Sequence, residues 1–418
     1  MDARRRGSIR LEPTIDDKAP AIRGYRLRFT GSGGEYFRVW IVNVLLSLIT
    51  LGFYTPFARK RTVHYFYSHS LIADSALEFT AQQRRMVVGF LLVFLLSAAY
   101  QLAVRTEQDT TVSIFIIAGA LLAPVIWASA MRFRLTNTRW RGLRLVFTAT
   151  WKEIYRASWP VFALALVWLA TFFAVTGLVP DLDSSAQTTR MRLPRIPGSA
   201  IAVVLLALFL SVLCIIRIEY NYRSLLVLRT RIGDQVSRWK PVYMDFVNIW
   251  VATVIVFLLS ALAVTLLTGA LIAAAVLYFK ANLAKPEGVF FMILMTVVMG
   301  LLSLLFLLLA STPARAFREA RMFRLIWNNT GISHIARFKC TLSTRKFVFL
   351  RIKNLVLSLL TLGLYRPFAR VNEYQMKYDS VTLYVKGSLD QLTGQLEAAQ
   401  KEGFGDALAD AAGLDLIG

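Results

Sequence analysis

The chain has 418 residues, 56% of them apolar and 17% charged, and 48 Lys and Arg stand against 25 Asp and Glu for a net charge of +23. The apolar residues are bunched in runs long enough to cross a bilayer, which excludes an ordinary soluble domain. The basic residues sit in loops beside those runs, the distribution of cytoplasmic loops in a multi-pass membrane protein rather than of a nucleic-acid surface.

The polar opening, residues 1–24, reads as a tail. No apolar core begins before about Tyr36, so no cleavable signal peptide is expected and the first apolar segment serves as the membrane address. YRLRFTGS alternates Tyr25, Leu27 and Phe29 with Arg26 and Arg28, the period of a half-buried strand. The apolar segment NVLLSLITLGFYTPFAR (Asn43 to Arg59) follows, then a basic aromatic helix and the strand-like SALEFTA. Three apolar hairpins come next: Met86–Val104 with Thr111–Met131, Trp159–Val179 with Ala200–Ile218, and Phe246–Phe279 with Gly288–Ala310. Their outer turns are less basic than the loops between hairpins, which carry the strand-like LRLVFTA and a long basic stretch from Arg217 to Asp245. The run from Phe246 is too long for one perpendicular crossing, since over thirty residues at ~1.5 Å each exceed a ~30 Å core. A basic helix, ARAFREARMFRLIW, leads to a turn at NNTG and to the strand-like ARFKCTLS. A segment closely matching the first, NLVLSLLTLGLYRPFAR (Asn354 to Arg370), precedes a last strand in MKYDSVTLYVKG. Residues 25–387 thus form one membrane domain, and 388–418 an acidic, Ala-rich tail.

The two matching segments are identical at twelve of seventeen positions without a gap, so they read as two copies of one element. On a helix, Asn43, Ser47, Thr50 and Tyr54 form one polar stripe, and Asn354, Ser358, Thr361 and Tyr365 repeat it. Gly52 with Pro56, and Gly363 with Pro367, are expected to end or kink each helix. Arg59 or Arg370 closes the motif. This Thr-Leu-Gly run followed by aromatic, Pro, aromatic, Ala and Arg resembles the hallmark of the YjgN family of bacterial inner-membrane proteins, and the likeness covers the chain from about Tyr25 to its acidic end. It implies an inner-membrane, multi-pass architecture. It implies no chemistry, because the family is one of unknown function.

The expected fold is an all-α polytopic membrane protein with an internal repeat: six spans from the hairpins, two more from the motif copies, and short cytoplasmic β-strands. Thr30, Thr80, Thr148 and Thr341 each end a strand. Such strands should pair in a small cytoplasmic sheet, because isolated strands leave backbone groups unpartnered. Both flanks of each motif copy are basic, which leaves two topologies. Re-entrant copies would have both ends in the cytoplasm; spanning copies would form an antiparallel, inverted pair with both termini outside. Tyr36, Phe37 and Trp40, like Phe347 and Phe349, lengthen the apolar helices, so spanning is the expectation.

The six hairpin spans hold essentially no ionisable residue, which argues against proton or ion coupling. Arg217 and Glu219, at the edge of one span, read as an interfacial pair. His64, His69 and His334 are the three histidines; they accompany no catalytic or metal motif, so neither an enzyme nor a cofactor is expected. Cys214 and Cys340 read as reduced, structural residues. The polar stripes serve either as glue between helices, the reading given more weight, or as the lining of a path for a solute. Arg59, Lys60, Arg61 and Arg370 are placed to hold anionic lipid headgroups. The expected function is a transporter or channel-like protein for a small or lipidic solute. The competing expectation is a structural, lipid-binding or partner-anchoring membrane protein.

Overall fold

The computed structural model describes residues 22–106, 108–178, 197–232, 235–280, 288–333 and 335–387. The polar opening, the second outer loop, the turn after Lys280, His334 and the acidic tail lie outside the described residues.

Paired helices alternate with β-hairpins along the whole chain. The first extended segment comprises β1 (Ile22–Arg26) and β2 (Arg28–Phe29), and α1 (Gly33–Ile49) and α2 (Thr55–Ser68) carry the first motif copy. The hairpin of β3 (Ser70–Ile72) and β4 (Ser75–Phe79) leads to α3 (Gln83–Arg105) and α4 (Asp109–Thr136). Next come β5 (Thr138–Trp140), β6 (Leu143–Phe147), the short α5 (Trp151–Ala157), α6 (Trp159–Leu178) and α7 (Gly198–Leu228). Then follow β7 (Thr230–Ile232), β8 (Gln235–Trp239), α8 (Tyr243–Lys280) and α9 (Gly288–Asn329). Last are β9 (Thr330–Ile332), β10 (Ala336–Cys340), α10 (Thr344–Leu360), α11 (Arg366–Tyr378) and β11 (Val381–Lys386), with the second motif copy across α10 and α11.

The eleven strands form one antiparallel sheet in the order β1-β11-β10-β9-β8-β7-β6-β5-β4-β3-β2. Its two ends belong to one segment: β1 pairs with β11, Ile22 opposite Lys386, and β2 pairs with β3, Arg28 opposite Leu71. Only Leu27 separates them, and its N–H donates to the Val381 carbonyl at 3.0 Å. The sheet is therefore an all but closed ring. Hydroxyls mark where helix becomes strand: those of Ser70, Thr138, Thr230 and Thr330 each donate to the carbonyl four residues back, on the helix just ended. Just after β2, β4, β6 and β10, the N–H and Oγ1 of Thr30, Thr80, Thr148 and Thr341 both donate to one carbonyl at or just past the end of a neighbouring helix, that of His69, Asn137, Arg229 and Ser380 respectively. Those helix-end carbonyls would otherwise lack partners.

Alternation decides which side chains fill the ring. Leu27, Leu143, Ile332, Ala336, Cys340, Val381, Leu383 and Val385 are buried and cluster with Ala316 and Ala320 of α9. Arg28, Arg144, Arg238, Arg337 and Lys339 on the alternate positions are exposed. Burying each of the larger apolar side chains contributes about 1.5–3 kcal/mol. The helices running into the sheet touch in series. Trp127 of α4 stacks on Tyr222 of α7 with centroids 4.2 Å apart, Arg318 of α9 meets Glu219 of α7 at 3.6 Å, Lys377 of α11 meets Glu319 of α9 at 2.7 Å, and Tyr374 of α11 packs on Phe66 of α2 at 4.8 Å.

The expected all-α fold, with short strands paired in a small sheet and eight spans, is overturned, although the chain is mostly helical. The β-layer is a ring of eleven strands in which β3, β5, β7 and β9, three residues each and joined directly to helices, are too short to show alternation in the sequence. The strand β8 hid in a basic stretch because it turns Ser237, not an apolar residue, inward. Asn328 and Asn329 of the expected turn remain in α9. Nor do the motif copies span. The first leaves the sheet after β2 and returns to it at β3, and the second leaves after β10 and returns at β11, so both ends of each lie on the sheet side. With 17 residues in α1, the first copy rises only ~25 Å before reversing. Its tip, Leu51, is 89% exposed and its counterpart Leu362 is 95% exposed, surfaces suited to lipid. Among the described residues, five helices are long and apolar enough to cross a membrane: Gln83–Arg105, Thr110–Thr136, Trp159–Leu178, Gly198–Leu228 and Tyr243–Ala270. At 38 residues, α8 extends for ~57 Å, well beyond a ~30 Å core, and such excess length carries polar helix to the sheet.

The positive-inside rule assigns the basic sheet side to the cytoplasm. In a Cys214→Ala background, Arg28→Cys and Glu78→Cys flank the first motif copy. Both should react with a membrane-impermeant maleimide in inverted vesicles and neither in intact cells; labelling from opposite sides would mean that the copy crosses.

Candidate functional site

Each motif copy folds into a helical hairpin clasped by its own polar stripe. Asn43 is buried, and its Nδ2 donates to the Ala58 carbonyl on the returning helix at 3.4 Å. Asn354 makes the equivalent bond to Ala369 at 3.2 Å and a second to Glu373 at 3.0 Å. The hydroxyl of Thr50 donates to the Leu46 carbonyl at 2.7 Å and accepts the Tyr54 N–H at 3.0 Å; Thr361 does the same between Leu357 and Tyr365 at the same distances. Beyond the helix ends, Leu51 (φ 48°) and Leu362 (φ 49°) take the left-handed conformation, with Gly52 (φ 91°) and Gly363 (φ 93°) behind them. The glycine N–H groups reach back to the carbonyls of Ser47 and Ser358 at 2.7 Å, which satisfies helix-end acceptors. Pro56 and Pro367 stand in the first turn of the returning helices, where a missing N–H leaves no bond unmade. They start a helix instead of kinking one. Tyr54 and Tyr365 stack on Phe57 and Phe368 at 5.5 and 5.6 Å.

The two copies differ in their surroundings. A cleft of about 940 Å³ lies among α1, α2, α4, α11 and the start of α3. Asn43 and Ser47 open on it from the first stripe, and Arg59, Arg134 and Arg370 bring three cations to its wall. Val44, Leu48, Met86 and Met131 supply apolar lining, and among the described residues no Asp or Glu is present in the wall. Arg370 is held from the first copy: its Nη1 donates to the Tyr36 hydroxyl at 3.1 Å, and its guanidinium lies 5.2 Å from the Phe66 ring centroid. Thr50, Tyr54, Asn354, Ser358, Thr361 and Tyr365 are not in its wall, so the stripes do not face one another across this cleft. Lys60 and Arg61 also lie off it, Arg61 over the Tyr54 ring at 5.9 Å. Arg134 had no motif to single it out; it belongs to the site because α4 runs on past the expected end of its span.

At the base of the first hairpin, Ser32 and Glu35 form a capping box. The Ser32 backbone N–H, with its hydroxyl, holds the Glu35 carboxyl below its ordinary value. Burial, aided by the charge of Glu35, pushes the Tyr65 phenol up to about 12, so it remains a neutral donor to the Ser32 carbonyl at 2.8 Å. His69 sits beside this group, 3.9 Å from Glu35, and His64 is exposed. Glu219 meets Arg223 at 3.0 Å and Trp250 Nε1 at 3.0 Å rather than Arg217, which lies over the Tyr243 ring at 4.8 Å. Residues two apart on a helix do not face each other.

The clasp predicts unequal costs. Asn43→Leu removes the one side-chain bond that ties α1 to the Ala58 carbonyl, which keeps its partner within α2, at roughly 0.5–1.5 kcal/mol. Asn354→Leu removes two bonds, one of them to the charged Glu373 carboxylate, and should cost more. Thermal unfolding of the detergent-solubilised variants checks the order, which equal losses would contradict.

The model of a bacterial protein of unknown function (DUF898) matches residues 24–411. A protein named "Inner membrane protein YjgN" from Salmonella typhimurium strain LT2 is 27% identical over 158 residues, 37% of this chain and 38% of that protein. Its namesake from Escherichia coli K12 is 25% identical over 171 residues, 41% of this chain and 43% of the relative. The chain thus spans about two-fifths of the length of the curated relatives it matches. No solved structure matches. With its family match running through both motif copies and nearly all of the ring, the chain belongs to the DUF898 family, the family of the YjgN inner-membrane proteins.

Proposed function

We propose that this inner-membrane protein is a non-enzymatic binder of anionic membrane lipid, with a phosphate-bearing headgroup held by Arg59, Arg134 and Arg370. The observation that carries this reading is the convergence of those three cations, unopposed by any carboxylate in the wall, on a cleft otherwise lined by Val44, Leu48, Met86 and Met131. Guanidinium groups form paired hydrogen bonds with phosphate oxygens, and apolar lining suits acyl chains. The matching bonds of Asn43 with Asn354 and of Thr50 with Thr361 support treating the two hairpins as an internal repeat.

A transporter reading drew its strength from two copies crossing the membrane in opposite senses. Both copies re-enter on the sheet side, and apolar side chains fill the ring below them. Lipid retention needs neither a crossing nor a pore, so it is the better-supported role.

Cations near an anionic lipid surface each contribute about 1 kcal/mol. The double variant Arg59→Gln/Arg134→Gln should therefore bind anionic lipid about 30-fold more weakly. Native mass spectrometry of protein in mixed phosphatidylglycerol and phosphatidylethanolamine nanodiscs checks this. An unchanged preference for the anionic lipid in the double variant would overturn the assignment.

A further inference from the structure

A second cavity, of about 510 Å³, lies among α7, α9, α10 and α11, on the stretches of α7, α9 and α11 that lead into the sheet. Arg223, Arg315, Arg318, Arg351 and Lys377 line it, against Glu219 and Glu319. The carboxylates are shared. Glu219 meets Arg223 at 3.0 Å and Arg318 at 3.6 Å, while Glu319 meets Lys377 at 2.7 Å and Arg351 at 3.4 Å. Arg351 also pairs with Glu373, which stands behind the wall and accepts a hydrogen bond from Asn354. Arg315 has no carboxylate within 4.0 Å among the described residues. Counting Glu373, five cations face three carboxylates, a local charge of +2.

These groups are held in place before anything binds. Trp250 fixes one side, its Nε1 donating to Glu219 at 3.0 Å while the Arg318 guanidinium lies 4.5 Å from its ring centroid. Asn354, through Glu373, fixes Arg351. Holding an excess of like charge in one cavity is unfavourable unless a counter-charge enters, and pre-positioned guanidinium forks match phosphate oxygens. The cavity volume falls in the range of small-ligand sites.

We infer that this cavity binds a group bearing two or more phosphate charges, with Arg315 as the cation most available to it and Arg318 and Lys377 completing the cradle. Such a group is found on soluble diphosphates and on doubly charged lipid headgroups. The site is separate from the Arg59–Arg134–Arg370 cleft and does not rest on the lipid reading of it.

The test titrates inorganic pyrophosphate into the full chain in phosphatidylcholine nanodiscs, with calorimetry as the readout and sodium chloride at matched ionic strength as the control. Saturable binding is expected in the wild type, weakened at least tenfold by Arg315→Gln and less by Arg315→Lys. The Arg59→Gln/Arg134→Gln variant should bind pyrophosphate unchanged. Binding to pyrophosphate assigns a soluble diphosphate. If pyrophosphate is silent but cardiolipin in the discs raises the unfolding temperature in an Arg315-dependent way, the same chemistry comes from lipid. No response to either ligand, or responses indifferent to Arg315, would overturn the site.

Discussion

The ring depends on a small joint: a threonine at a strand end presents its N–H and its hydroxyl to one carbonyl at the end of the next helix. Thr30, Thr80, Thr148 and Thr341 make this joint with His69, Asn137, Arg229 and Ser380. A helix that stops at a sheet leaves acceptors pointing at the incoming strand, and two donors from one residue meet that need without a longer loop. The joint therefore fixes the height and angle at which each helix lands on the sheet. At the corresponding place after β8 stands Lys240, which has no hydroxyl to offer.

Once the landing points are fixed, the helices determine what lies between them. Five helical pairs link neighbouring positions around the sheet, three of them long and two, the motif hairpins, short and adjacent. The short pairs do not form one symmetric site. Asn43 opens on the arginine-lined cleft, whereas Asn354 turns to Glu373 and stabilises the network behind the second cavity. The same side chain, clasping the same kind of hairpin, thus serves two electrostatic environments.

The sequence made the apolar spans legible, together with the longer strands, the strand-end threonines and the twin motifs, because each leaves a periodic or repeated mark. Three-residue strands such as Thr138–Trp140 leave no such mark, and closure of the ring rests on pairing between residues far apart in the chain. The reversal in the motif was legible only as one of two topologies, for another reason. Leu51 and Leu362 occupy the left-handed position where glycine is usual, while Gly52 and Gly363 come one residue later, so the Gly and Pro signals did not separate a kink from a full turn back. Arg59 and Arg370 could be singled out by their place in the motif. Arg134, Arg315 and Arg318 could not, since nothing along the chain distinguishes them from other basic residues beside membrane helices.

The pairing of β1 with β11 also orders events during synthesis. Phe29 donates its N–H to Asp379, 350 residues away. Until the ribosome has made β11, the outer edge of β1 has no strand to meet, although β2 can already pair with β3. Closure over so long a loop is entropically unfavourable and comes late. An unpaired edge invites wrong partners in the interval. The arginines at positions 26 and 28, which keep that first segment charged, are well suited to hold it soluble while the apolar helices behind it are made.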